Sequence, residues 1–408
     1  MATIAVLGTF DTKGEEHQFI AELLWQAGHR PLLIDVGMLD APTIKPDITR
    51  EEILSAAGID LAGIVARRDR GEAVSAMTSA APPFVARLAS SGRIQGIISL
   101  GGSGGTAIGT AVMRALPIGF PKVMVSTVAA AANSNQYLGV KDIVMFPSIV
   151  DISGLNRISR EIFTRAAGAM CGMVDARPPQ DGDKPVIAAS MFGNTTKCVE
   201  HARQLLEAKG YEVLVFHANG IGGKIMESVI ESGMVSGVLD ITTTEWADEL
   251  VGGMLGAGPA RLEAAARNKI PAIVTPGCLD MVNFGPPDSI PAKFQGRNFY
   301  LHNPQVTLMR TTPEECAQLG KILAEKANLS TGPVTVLFPR KAISVISAAG
   351  QKFHDPVADE ALCCAIKNHL RPDIRFLELN HEINDPQFAE ACVEALLENI
   401  AAVKTGQS

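Results

Sequence analysis

Residues Gly101-Gly102-Ser103-Gly104-Gly105-Thr106 set four glycines and two hydroxyls in six consecutive positions. They stand between an apolar run ending at Leu100 and a helical pattern starting near Ala107. Glycines at such a junction let backbone N–H groups approach a ligand closely, as phosphate-binding loops do. Neither G-x-x-x-x-G-K-[ST] nor G-x-G-x-x-G occurs, so this is not one of the standard nucleotide fingerprints. The same residues match G-x-S-x-G, which would make Ser103 the nucleophile of a hydrolase elbow, with His217, His302, His354, His369 and His381 available as bases. Four glycines suit a cradle better than an elbow, and a tight turn without any ligand is the plainest alternative.

Other polar loops follow strand patterns in the same way. Gly8-Thr9-Phe10-Asp11-Thr12-Lys13 offers hydroxyls, a carboxylate and an ammonium where a helix begins. Backbone N–H groups there favour anions, although Asp11 or Thr12 could simply cap the helix. Further along lie Gly193-Asn194-Thr195-Thr196, His217-Ala218-Asn219-Gly220-Ile221-Gly222-Gly223-Lys224 and Thr242-Thr243-Thr244-Glu245. The second of these is a further candidate phosphate loop; the third also reads as a capping box. Pro276–Gly285 and His302-Asn303-Pro304 are weaker candidates of the same kind. Asp11, Asp35, Asp240, Glu245 and Asp280 are carboxylates able to join a phosphate in holding Mg²⁺, which usually takes one or two.

The elements that must position these loops are strands and helices in alternation. Strands are expected at 4–7, 31–35, 96–100, 122–126, 186–190, 213–216, 237–239, 272–275, 334–338 and 374–378, with helical patterns between most of them. That order implies α/β architecture: parallel sheets covered by helices on both faces. DARPPQDGDK, with its prolines, glycine and charges, marks a boundary. It divides the chain into an N-terminal Rossmann-like domain (1–175), a linker (176–184) and a C-terminal Rossmann-like domain (185–408). Both domains open with strand, polar loop, helix, turn and strand, and Ile4/Ile187, Ala5/Ala188, Thr12/Thr195 and Leu23/Leu206 coincide. The expected arrangement is two parallel sheets facing across a cleft that holds the ligand.

Composition narrows the classes. The chain has 408 residues, 47% hydrophobic and 19% charged, with a formal net charge of -7. That balance excludes the basic field a nucleic-acid partner requires. Seven cysteines without a C-x-x-C pair point to a reduced, cytoplasmic setting rather than to disulfides or zinc. The opening residues read as a strand rather than as a signal sequence. The uncharged stretches 94–113 and 123–140 are rich in Gly, Ser, Thr or Asn, and read as strand, loop and helix rather than as membrane spans.

LGTFDTKGEE, SLGGSGGT, FHANGIGGKIMESVI, LDITTTEWADELVGG, PGCLDMVNFGP and HNPQVTLMRTT, taken in order along the chain, resemble the ATP-binding domain family of the tomato mosaic virus resistance protein. That resemblance implies two Rossmann-like domains, a homodimer, and ATP bound with Mg²⁺. It places nucleotide contacts in the Thr9–Lys13 loop, the Gly101–Thr106 loop and the polar loops of the second domain. Because plant members continue into a barrel-like module, it also implies a separately encoded barrel-fold partner. Two positions depart from the family pattern: Ser347, where aspartate is frequent, and Asn219, where threonine is usual. Three functions stay open: an ATP-binding protein, an enzyme on a phosphorylated or nucleotide-linked substrate (transferase- or epimerase-like), and a Ser103 hydrolase.

Overall fold

The computed structural model describes residues 1–67, 69–132, 134–177 and 182–405. The chain divides into two compact units, Met1–Gln180 and Asp181–Ser408. Residues 178–181 of the expected linker lie outside the described residues.

The N-terminal unit runs β1 (Thr3–Gly8), α1 (Phe10–Gln26), β2 (Arg30–Asp35), α2 (Arg50–Ala56), α3 (Leu61–Arg67), α4 (Arg70–Ser90), β3 (Gly96–Gly101), α5 (Ser103–Arg114), β4 (Lys122–Ser126), α6 (Asn135–Leu138), β5 (Val144–Pro147) and α7 (Arg157–Asp175). Its five strands are parallel, in the order β2-β1-β3-β4-β5. β3 and β4 are buried at every residue, as strands covered on both faces must be. Alternate residues feed opposite cores: Ala5, Leu7 and Ile97 join Met77, Val85 and Val112 on one face. Ile4, Val6 and Ile98 join Leu24, Phe163 and Met170 on the other.

The C-terminal unit runs β6 (Val186–Met191), α8 (Thr196–Ala208), β7 (Glu212–His217), α9 (Ile221–Glu231), β8 (Gly237–Thr242), α10 (Glu245–Val251), α11 (Ala264–Arg267), β9 (Ala272–Gly277), β10 (Met281–Phe284), β11 (Phe299–Asn303), β12 (Val306–Arg310), α12 (Pro313–Asn328), β13 (Val334–Pro339), α13 (Pro356–His369), β14 (Arg375–Leu379) and α14 (Pro386–Thr405). Six strands form a parallel sheet ordered β14-β13-β9-β8-β6-β7.

Two Rossmann-like units are therefore present, and each strand read from the sequence lies in one of these sheets. The structure adds a small antiparallel sheet, β10-β12-β11, that the alternating pattern did not announce. Its outer strand β11 has an apolar run of only Phe299, Tyr300 and Leu301, and His302 and Asn303, expected in a loop after a strand, are its exposed last residues. β5 and α13 were likewise not expected.

Both parallel sheets reverse winding direction beside their first strand. β1 lies between β2 and β3, and β6 between β7 and β8. The loops leaving the two central strands diverge there, opening a crevice at their carboxyl ends where ligands of such folds bind. Among the described residues no helix is long and apolar enough to cross a membrane. Stretch 94–113 is β3 and α5, and 123–140 contains β4 and α6.

Candidate functional site at the β1/β3 crevice

A cavity of about 490 Å³ lies in the N-terminal unit. Its wall includes Thr9 after β1 with Asp11, Thr12 and Lys13 in the first turn of α1, and Gly102 after β3 with Ser103, Gly104 and Gly105 in the first turn of α5. These two segments leave adjacent strands at the point where winding reverses. Val36, Met38, Leu39, Val74 and Ile108 give the cavity an apolar side; Arg70, Thr127 and Asp151 add polar groups.

The glycines differ in what they do. A Cβ on Gly101 would stand 2.7 Å from the Gly105 backbone, so Gly101 serves the tight strand-to-helix turn. A Cβ on Gly102 would meet only Thr127 Oγ1 at 3.8 Å, and one on Gly104 only Val74 Cγ2 at 3.5 Å and Arg70 Nη2 at 3.8 Å. Neither has positive φ. Backbone strain and packing therefore do not require glycine at 102 or 104; the space a side chain would take is the cavity itself. α5 begins at Ser103 with Gly102 at its N-cap and no side-chain cap, so among the described residues no side chain accepts from its first N–H groups. Thr106 turns inward instead, bonding Ser126 Oγ at 2.7 Å.

The opposite wall is held from beneath by His17. A Cβ on Gly8 would fall 1.9 Å from His17 Nε2, so β1 must end in glycine. His17 Nδ1 donates to the Lys13 carbonyl at 2.6 Å, and Lys13 departs from helical geometry (φ -138°, ψ 34°), kinking α1 after its first turn. The ring is fully buried, and burial drives its pKa down to about 4, so it is neutral at pH 7. Lys13 Nζ donates to the Ile152 carbonyl rather than to a carboxylate. Asp11 Oδ2 accepts N–H groups of Met38 (3.1 Å) and Leu39 (3.0 Å), fixing the loop after β2. Asp35 is buried and accepts from the N–H groups of Phe10 and Gly37; burial raises its pKa.

Among the described residues no cluster of three or more His, Cys, Asp or Glu could hold a metal by itself. Phosphate-bound Mg²⁺ needs fewer protein ligands. Two carboxylates stand in the cavity wall: Asp151, exposed with one oxygen on the Ile152 N–H, and Asp11, whose Oδ2 holds backbone while its buried Oδ1 has no hydrogen-bond partner among the described residues. No histidine is among the lining residues described around Ser103.

The loops picked out in the C-terminal unit are placed differently. Gly220 and Gly223 donate their N–H groups to Glu245 Oε1 at 2.7 and 3.1 Å, and Gly222 donates to Asn219 Oδ1 at 2.9 Å. Thr195 Oγ1 bonds Thr242 Oγ1 at 2.7 Å, and Thr243 Oγ1 donates to the Thr275 carbonyl. Thr195, Thr243, Thr244 and Glu245 are all buried. Asn194 reaches Met281 Sδ, Thr196 bonds the Phe192 carbonyl, and His217 stacks on Phe192 with ring centroids 5.3 Å apart. Asp240 and Glu245 both bind Arg261, and Asp280 accepts from Ser344 Oγ at 2.7 Å, its pKa raised to about 6 by burial.

Models of an uncharacterised protein family, UPF0261, match this chain with their N-terminal domain over residues 2–179 and their C-terminal domain over 184–400. The chain belongs to that family. It is similar to a UPF0261 protein of Clostridium tetani (47% identity; 97% of this chain, 98% of the relative). It is also similar to UPF0261 protein RA0729 of Rhizobium meliloti (46%; 97% and 98%). The ToMV resistance protein Tm-1(GCR237) of Solanum lycopersicum is 37% identical over 96% of this chain but only 55% of its own length. Among solved structures, Acinetobacter baumannii MurG matches at 12% identity and TM-score 0.23, covering 98% of this chain and all (100%) of that one. A Staphylococcus aureus MnaA–UDP structure matches at 10% and 0.22, covering 67% and 79%. Likeness at that level adds nothing to the fold already described.

Within the family frame, Ser347 is accounted for by its hydrogen bonds: its Oγ accepts from the N–H groups of Ile343 and Ser344 and is buried. Asn219 caps the Gly222 N–H. Sequence reasoning missed the whole apolar side of the cavity and, among its polar residues, Arg70, Thr127 and Asp151. Asp151 follows the unexpected strand β5, and recognising that strand was the signal needed to find it.

Proposed function

We propose that the N-terminal unit binds a nucleotide, ATP with Mg²⁺, with its phosphates in the β1/β3 crevice. The observation that carries this reading is the pair Gly102 and Gly104, whose missing side chains leave open a cavity rimmed by uncapped N–H groups of α5. Partial positive charge at that helix end favours phosphate. Lys13 and Arg70 add full charges, and Val36, Met38, Val74 and Ile108 form an apolar wall for the base. Mg²⁺ at Asp151 would neutralise phosphate charge.

Calorimetric titration with ATP, ADP, NAD and a nucleotide sugar, each with and without Mg²⁺, tests this. Tightest binding by ATP, strengthened by Mg²⁺, is the expected result. No binding by any nucleotide sinks the reading.

An enzyme acting on a nucleotide-linked substrate is the second reading. A polar cavity of about 410 Å³ shares Thr12, Lys13 and Asp151 with the first, leaving room for a second moiety beside the phosphates. Tighter binding of the nucleotide sugar, or release of nucleoside diphosphate on incubation, would favour it over ATP.

A further inference from the structure

We infer that the C-terminal unit contains an anion-binding site occupied by the chain's own Glu245 carboxylate. Both carboxylate oxygens are held as an anionic ligand would be. Oε1 takes the N–H groups of Gly220 and Gly223 at the start of α9, at 2.7 and 3.1 Å. Oε2 takes the Arg261 Nε at 2.6 Å. Arg261 is 1% exposed and Glu245 equally so, which places the whole arrangement out of water. Backbone N–H groups at a helix start together with a guanidinium are the donor set used for phosphates and carboxylates alike.

The glycines of this loop support the assignment by contrast with those of the N-terminal unit. A Cβ on Gly223 would stand 2.2 Å from Glu245 Oε2, and one on Gly222 only 1.9 Å from the His217 carbonyl. Gly220 has φ +85° and a Cβ there would lie 3.0 Å from the carbonyls of Leu255 and Gly256. Every glycine is therefore needed by the chain itself. A Cβ on Gly102 or Gly104, by comparison, would meet side-chain atoms only at ordinary contact distances of 3.5 Å or more. The remaining guanidinium donors of Arg261 are engaged by Asp240 and Glu227, so no cationic capacity is left for an incoming anion.

This inference goes beyond nucleotide binding at the β1/β3 crevice and stands without it. Glu245 fills the loop that sequence alone would assign to a second phosphate, so an external anion is excluded there while Glu245 is in place. Truncating Glu245 should convert an internal site into an external one.

The test compares wild type, Glu245→Ala and Glu245→Gln in thermal melts against rising inorganic phosphate, with chloride at matched ionic strength. Glu245→Ala should melt lower than wild type and be restored, progressively and saturably, by phosphate but not by chloride. Glu245→Gln should melt lower without rescue, because its amide still fills the space. Equal response of Glu245→Ala to phosphate and chloride would overturn the inference. If Glu245→Ala does not fold, the wild-type chain decides the matter through equilibrium dialysis with ATP. Two nucleotides per chain would overturn self-occupation; one or none upholds it.

Discussion

Arg261 and Asp240 meet twice at 2.6 Å, Nη1 to Oδ2 and Nη2 to Oδ1, inside the C-terminal unit. With Glu245 and Glu227 also in contact, one guanidinium serves three carboxylates. Burial alone would depress the Arg261 pKa, but these carboxylates raise it well above its ordinary value. Replacing it by Met leaves buried negative charge unpaired, so unfolding of the C-terminal unit should become easier by ~3–5 kcal/mol. Arg261→Lys should recover little, since an ammonium cannot bridge three partners in one plane. Urea unfolding followed by circular dichroism measures both.

Gly101 and Gly104 should separate folding from binding. Gly101→Ala forces a Cβ against backbone at 2.7 Å and should destabilise the N-terminal unit by ~1–3 kcal/mol. Gly104→Val meets only ordinary contacts, so its melting temperature should stay close to wild type. Its side chain enters the cavity, and ATP affinity should fall at least ~100-fold, about 2.7 kcal/mol. A folded Gly104→Val protein with unchanged affinity removes the cradle assignment.

Lys13 is tied to the Ile152 carbonyl, an uncharged acceptor that a phosphate oxygen can replace. Lys13→Met should weaken ATP binding about ten- to hundredfold, the effect of losing one charge-assisted hydrogen bond of ~1.5–3 kcal/mol. The loss should shrink as salt rises, because part of it is long-range attraction. Titrations at two ionic strengths give the answer.

His17 and Asp248 should give the two units opposite responses to acid. The folded pKa of His17 is about 4, against 6.5 as a free side chain, because burial disfavours its charged form. The unfolded chain accepts the proton first. Stability is therefore intact above pH 6.5 and falls as pH drops towards 4, by ~3 kcal/mol. Asp248 is raised by burial from 3.8 to about 7 although Asn283 donates to both its oxygens. The folded state holds that proton longer, so its contribution is full below pH 3.8 and is lost as pH rises through 7. His17→Gln should flatten the acid limb of the N-terminal unit, and Asp248→Asn the neutral limb of the C-terminal unit. Urea midpoints collected from pH 4 to 8 will show whether either slope survives its substitution.

The fold was legible where burial forces composition. Strands such as Ile97–Leu100 and Val123–Val125 are covered on both faces, so they are apolar almost throughout, with Ser99 the exception, and the helices between them must be amphipathic. β11 was not legible because exposed residues such as Leu301, His302 and Asn303 carry no such constraint. The two loops of the cavity were readable because both follow apolar strands, where polar residues stand out.

What the sequence by itself determined is the alternation of strand and helix, the two units, and the short list of loops at strand ends. Which of those loops is open was decided by tertiary structure. Gly101–Thr106 and His217–Lys224 look alike as strings of glycine and polar residues. Only the fold brings Glu245, 21 residues beyond the second loop, into contact with it, and sets Arg261 against the other side of that carboxylate. A carboxylate at 2.7 Å from a loop amide is a fact of three-dimensional packing between segments distant in the chain, and no local spacing encodes it.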